Sequence, residues 1–184
     1  ILNNWQKLSV GRKFSAIFAT SSINEAIEYY KLFNEKQANI NITCLFDPTI
    51  DNNENASFKE DGLVEIIEDY NRMYKQKFTL PTYSKMKKDI SIRLAHKKQY
   101  SLIKEEEQLD LLIVVDQMLT GYDSKWLNTL YLDKLLEYQN IIQAFSRTNR
   151  VFGAGKDFGI VKYYRRTNTM KRNIELALKL YSGE

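Results

Sequence analysis

Leu111-Leu112-Ile113-Val114-Val115 is an unbroken apolar run in which three of five residues are β-branched. A strand built from it has no polar side to show to water, so it must be covered on both faces, the condition of an interior strand in a parallel sheet. It is the best candidate for a central strand. Phe14 to Thr20 and Ile40 to Phe46 read as further strands, as do Thr129 to Leu132 and Gly159 to Tyr163. Helical spacing separates them: Ile23, Ala26, Ile27, Tyr30 and Phe33 form one apolar stripe, and Ser22 with Glu25 has capping-box spacing at its start. Ile174, Ala177, Leu178 and Tyr181 form another near the end. Alternating strands and helices predict an α/β three-layer sandwich around a mainly parallel sheet.

Residues 48–109 break that rhythm. Asp47-Pro48 ends a strand, and Asp51-Asn52-Asn53-Glu54-Asn55 is too polar for a core and reads as a mobile loop. Leu63, Ile66, Ile67 and Tyr70, then Met86, Ile90 and Leu94, restore helical spacing. A loop and two helices are therefore expected as an insertion in a single domain spanning residues 1–184, a size that buries one core.

Composition excludes several chemistries. Cys44 is the only cysteine, which rules out an internal disulfide framework and argues against a structural zinc site; no metal site is expected. The sole histidine, His96, lies in a Lys-rich stretch and reads as a surface residue ill suited to a nucleophile system. No apolar run approaches the ~20 residues of a membrane span, and a soluble, cytoplasmic protein is expected. The chain starts without Met and stops just after a helical pattern, as a piece of a longer protein would. With a formal charge of +4, any nucleic-acid contact must come from a local patch. Lys85, Lys87, Lys88, Arg93, Lys97 and Lys98 could supply one, or form a solvated helix face.

Candidate site residues gather in three places. In Gln143-Ala144-Phe145-Ser146-Arg147-Thr148-Asn149-Arg150, helical spacing puts Gln143, Arg147 and Arg150 on one face, a multi-donor surface suited to a phosphate chain. Ligands of open parallel sheets collect at the carboxyl ends of strands, which singles out the loops after Ala19, Val115 and Leu132. After Val115, Gly121 permits close backbone approach, Thr120 can donate to phosphate and Asp123 can accept from a ribose or an Arg, although a turn with a helix cap fits as well. Ser21 and Ser22 could contact phosphate at a helix start, or simply cap it. No G-x-x-x-x-G-K-[ST] loop occurs, so the chain cannot cradle a triphosphate in that manner by itself.

Taken in order, Ile17-Phe18-Ala19-Thr20-Ser21-Ser22, Leu112 through Met118-Leu119-Thr120-Gly121-Tyr122-Asp123, Leu130-Tyr131-Leu132-Asp133-Lys134 and Gln143 to Arg150 resemble motifs IV, V and VI of superfamily 2 helicases. The combination is most similar to the restriction (R, motor) subunit of type I restriction-modification enzymes, and it covers nearly the whole chain as that subunit's second RecA-like domain. Gln143, Asn149 and Thr120 depart from the DEAD-box pattern and count against an RNA helicase. Another superfamily 2 helicase, or a non-catalytic DNA-binding module, are the alternatives.

The resemblance implies a RecA-like (P-loop NTPase-type) fold and roles for particular residues. Arg147 and Arg150 would act as arginine fingers on ATP and Mg2+ held mainly by a first RecA-like domain outside this chain. Gln143, Gly121 and Asp123 would border the nucleotide, and Thr120, Ser21 and Ser22 would touch double-stranded DNA. Expected partners are that first domain, the nuclease domain of the same polypeptide, and the methylation and specificity subunits. The isolated segment would be inactive, with ATP-driven translocation and cleavage belonging to the intact enzyme.

Overall fold

A computed structural model describes residues 1–36, 39–49, 56–115, 124–148, 150, 152, 156 and 158–183. Among these residues five strands, β1 (Ser15–Thr20), β2 (Ile42–Leu45), β3 (Leu111–Val115), β4 (Leu127–Asp133) and β5 (Ile160–Tyr163), form one sheet in the order β2-β3-β1-β4-β5, with every neighbour parallel. All residues of β1, β2 and β4 are buried, as are all but Val115 in β3. Burial on both sides requires layers above and below, which makes this the expected three-layer α/β fold.

The position of Leu111–Val115 differs in one respect from the sequence expectation. β3 is interior, but the centre belongs to β1, where Phe18 lies level with Ile113 on one side and Tyr131 on the other. Interior and central strands are both covered on two faces, so an apolar run cannot distinguish them.

Among the described residues six α-helices accompany this frame: α1 (Trp5–Leu8), α2 (Ile23–Glu35), α3 (Ala56–Tyr74), α4 (Tyr83–Leu94), α5 (Gln139–Thr148) and α6 (Thr167–Ser182). The stripe Ile23, Ala26, Ile27, Tyr30 and Phe33 of α2 is buried, and Phe18 meets Tyr29 and Phe33 edge-on at 4.8 and 6.2 Å between ring centroids. At the start of α2 the Ser22 hydroxyl accepts from Glu25 N–H at 3.2 Å, while the Glu25 carboxylate accepts from Ser21 N–H at 3.0 Å. This differs from an ordinary capping box only in that the acid reaches one residue further back. Ser22→Ala is expected to cost about 1 kcal/mol in denaturant unfolding, and an unshifted midpoint would remove the cap from the account.

The two helices expected within residues 48–109 are α3 and α4, carried on the connection between β2 and β3. Their apolar residues join the same core as the sheet, including Leu63, Ile66, Ile67, Tyr70, Met86, Ile90 and Leu94. Gly62 lets α3 close on α2, since a Cβ there would lie 2.7 Å from Ile27 Cδ1. The polar stretch Asp51 to Asn55 lies outside the described residues.

Two sequence expectations change here. Arg93, counted with the basic stretch, is buried at 2% exposure. Its guanidinium lies 3.7 Å from the Tyr74 ring centroid and 4.1 Å from that of Tyr100, and donates to Tyr100 Oη at 2.8 Å and to the Glu107 carbonyl at 2.7 Å. It therefore cannot serve a nucleic-acid backbone. His96 is half-buried, not a solvated surface residue: its ring stacks on Trp126 at 4.2 Å, and burial, with the Lys125 charge, pushes its pKa down to about 4. Cys44 is buried in β2, which pushes its thiol well above the usual range. Among the described residues, no helix is long and apolar enough to cross a membrane.

Candidate functional site

Chemistry-bearing residues fall into two groups at opposite edges of the sheet. At the carboxyl edge, the register that pairs Thr20 with Asp133 sets the ends of β1 and β4 side by side. Pairing of Leu132 with Tyr163 then brings the chain after β5 to the same edge, where Tyr164 N–H donates to the Leu132 carbonyl at 2.9 Å. Ser21, Asp133, Lys134, Arg165 and Arg166 thus converge from three strand ends.

Arg165 organises this edge. It donates to Ser21 Oγ at 2.9 Å, to Glu25 Oε1 at 2.8 Å and to Asp133 Oδ2 at 3.4 Å. Asp133 is itself held by the Tyr29 hydroxyl, which donates at 2.7 Å; that bond raises the Tyr29 pKa to about 12. Hydrogen bonding to Glu25 raises the Arg165 pKa, so its charge persists at any physiological pH. Ser21 donates its hydroxyl to the Asp133 carbonyl at 3.1 Å and its N–H to Glu25. Both donors on which its sequence-expected phosphate contact relies are engaged within the protein, and the Ser22 hydroxyl caps α2. A cavity of about 330 Å³ opens beside them, lined by Ser21, Lys134, Leu135, Arg165 and Arg166. Burial lowers the pKa of the Lys134 ammonium. Thr120, Gly121 and Asp123 lie outside the described residues.

The second group sits on α5 and just past it. Ile141, Ala144 and Thr148 are buried beneath the helix, Gln143 is exposed and Arg147 is half-exposed. Gln143 also borders an apolar groove of about 530 Å³ against Ala177, Leu180 and Tyr181 of α6. Helical spacing carries no further than Arg147, because α5 ends at Thr148 and the exposed Arg150 lies beyond it. Periodicity therefore aligns Gln143 with Arg147 but does not set the direction of Arg150. In the last turn, Ser146 Oγ and Thr148 Oγ1 donate back to the Gln143 and Phe145 carbonyls at 2.7 and 3.3 Å, competing with helix continuation.

Two residues that sequence reasoning passed over hold this end in place. Lys156 is buried at 2% exposure and donates to the Lys125 and Leu127 carbonyls at 3.0 and 2.7 Å, pinning its segment to the start of β4. Burial, helped by the nearby Arg150 charge, pushes its pKa down to about 8. Arg150 is thus near the amino edge, roughly 20 Å along β4 from Asp133 at 3.3 Å per residue. Gly159 faces the Thr148 main chain so closely that a Cβ would collide with the carbonyl. Gly159→Ala is expected to cost about 1–3 kcal/mol by denaturant unfolding; a cost within error would mean that the backbone yields.

A signal for Arg165 and Arg166 was present. They follow the fifth predicted strand, so the carboxyl-end rule applied there as much as after Ala19, Val115 and Leu132. No comparable signal marks Lys156, whose burial depends on carbonyls about thirty residues earlier in the chain.

Known proteins match this chain across most of its length. The family model described as type I restriction enzyme subunit R domain 3 matches residues 12–166. The type I restriction enzyme SauCOLORF180P endonuclease subunit of Staphylococcus aureus (strain COL) is 35% identical over 190 residues, covering 99% of this chain and 20% of that protein. The putative type I restriction enzyme MpnIIP endonuclease subunit N-terminal part of Mycoplasma pneumoniae is 48% identical over 66 residues, 36% of this chain and 17% of that protein. The chain spans about a fifth of the length of its full-coverage relatives. A solved structure, the C-terminal part of the Fun30 ATPase domain, aligns with 95% of this chain and 43% of its own at TM-score 0.47 and 10% identity, a loose likeness. With its family match running from residue 12 to residue 166, this chain belongs to the type I restriction enzyme subunit R domain 3 family.

Proposed function

We propose that this chain is the second RecA-like motor domain of a type I restriction R subunit, one half of an engine that couples ATP hydrolysis to movement along duplex DNA. The observation that carries the reading is the separation of two cationic surfaces. Arg147 and Arg150 lie toward the amino edge, and Lys134, Arg165 and Arg166 lie at the carboxyl edge. A motor domain needs one surface for nucleotide and another for the track, so that closure on one is felt at the other.

The residues fit nucleotide phosphates in one specific sense. Arg147 and Arg150 are solvent-accessible and, as guanidiniums, carry forked donors that match phosphate oxygens. Among the described residues there is no cluster of three metal-ligating side chains. This donor set suits completing a phosphate site across a cleft. ATP with Mg2+, bound mainly by a first RecA-like domain, supplies the phosphoryl-transfer chemistry. From this chain, Arg147 and Arg150 would offset charge on the transferring group, and Gln143, on α5 with Arg147, would sense the terminal phosphate. Gly121 and Asp123 border the nucleotide, while Thr120, Ser21 and Ser22 belong to the DNA side. Ser21 acts there through Arg165, whose guanidinium it accepts from. In the intact enzyme, with its methylation and specificity subunits and its nuclease domain, this movement precedes DNA cleavage in the cytoplasm. The test is ATP turnover stimulated by duplex DNA in the intact subunit carrying Arg147→Ala; turnover equal to that of the unsubstituted subunit overturns the reading.

A further inference from the structure

The cavity at the carboxyl edge has a specific chemistry. Its lining residues include three cations, Lys134, Arg165 and Arg166, together with the hydroxyl-bearing Ser21 and the apolar Leu135. No carboxylate is among the described lining residues. Glu25 and Asp133, two acids nearby, both bind Arg165, offsetting its charge while fixing its orientation, so that Lys134 and Arg166 carry the net positive charge of the lining. Lys134 follows β4 and Arg165 and Arg166 follow β5, so the cluster exists because β1, β4 and β5, consecutive in the sheet, end at the same edge.

We propose that this cavity seats a backbone phosphate of a nucleic-acid strand, with Lys134 and Arg166 supplying charge and Arg165 presented by Ser21, Glu25 and Asp133. The proposal rests on the reading that the carboxyl edge meets DNA, and it names the residues that do so. A small free anion is commonly held by a dense cradle of N–H and O–H donors. Here the Ser21 N–H and hydroxyl are already committed to Glu25 and to the Asp133 carbonyl. What faces the cavity is charge with an apolar contact at Leu135, which suits a phosphodiester and its sugar and reads no base. Arg166 is also the residue before α6, a helix of 16 residues whose positive end adjoins the cavity. Three acceptors restrain the Arg165 side chain, which reduces the ordering cost of binding.

The test uses the intact subunit and a duplex of random sequence, with affinity measured across a chloride series. Arg166→Ala and Lys134→Ala are each expected to weaken binding and to make the slope of log affinity against log salt shallower by about 0.9, the value for one lost phosphate contact. Arg166→Lys, which keeps the charge, is expected to retain the slope and guards against a folding artefact. Inorganic phosphate at constant ionic strength is expected to compete no better than chloride. Unchanged slopes in both alanine variants overturn the proposal, as does competition by inorganic phosphate at low concentration, which would assign the cavity to a free anion. If Arg147→Ala abolishes turnover while these slopes stay unchanged, this site falls and the motor reading stands. An unsubstituted subunit with no DNA-stimulated turnover removes the motor reading itself.

Discussion

Arg147→Ala in the intact subunit is expected to lower DNA-stimulated ATP turnover by about a thousandfold or more, the lower range for an arginine finger. At about 1.36 kcal/mol per factor of ten, that is roughly 4 kcal/mol of lost transition-state stabilisation. The loss should fall on kcat more than on KM, because an arginine finger meets the charge redistributed over the transferring and leaving oxygens in the transition state more strongly than it meets the bound ground state. Arg147→Lys should recover little, since an ammonium keeps the charge but loses the planar fork that meets two oxygens at once. Arg147 lies off the buried stripe of Ile141, Ala144 and Thr148, so the unfolding midpoint should move little. Combining Arg147→Ala with Arg150→Ala should cost much less than the product of the two single effects if they act as a unit. Turnover unchanged by Arg147→Ala would leave α5 with a packing role only.

Arg93→Ala is expected to destabilise this chain by about 3–5 kcal/mol in denaturant unfolding, a large share of the roughly 5–15 kcal/mol that holds a typical domain together. Arg93 donates to Tyr70 Oη at 3.2 Å, Tyr100 Oη at 2.8 Å, the Glu107 carbonyl at 2.7 Å and Asp89 Oδ2 at 3.4 Å. Asp89 in turn accepts from the Tyr70 and Tyr100 hydroxyls at 2.5 and 2.6 Å. Removing the guanidinium leaves a buried carboxylate without its cation and vacates the space between Tyr74 and Tyr100. Both losses act together, which is why the expected cost exceeds that of an ordinary surface change. Lys88→Ala on the exposed side of α4 is the matched control and should stay within about 0.5 kcal/mol. An Arg93→Ala cost as small as the control would mean that water enters and solvates Asp89.

The Arg93 network also shows how far charge can be read from a chain. Counted by position, Arg93 belongs with Lys85, Lys87, Lys88, Lys97 and Lys98 in one basic stretch. Counted by helical phase, it falls with Met86, Asp89, Ile90 and Leu94 on the buried stripe of α4. The spacing therefore carried the signal, and only the assumption that charge faces water hid it. The same holds in reverse for α5, where a periodicity that aligns Gln143 and Arg147 stops before Arg150 because the helix ends at Thr148. A heptad of sequence does not report where a helix terminates.

Local forces determined what the sequence alone could establish: which segments are strands, which stripes of α2, α3 and α4 face inward, the cap at Ser22, and the ordered motifs that resemble the R subunit family. Each depends on residues a few positions apart, through side-chain periodicity, capping and β-branching. Tertiary structure decided the rest. It put β1 at the centre, brought Arg165 to Ser21 across 144 positions of chain, closed Lys156 onto the start of β4, and set Arg147 of α5 and Arg150 beyond it toward the edge opposite the basic cavity. Those placements follow from strand order, and strand order is settled by long-range packing of whole layers, which no short stretch of chain encodes.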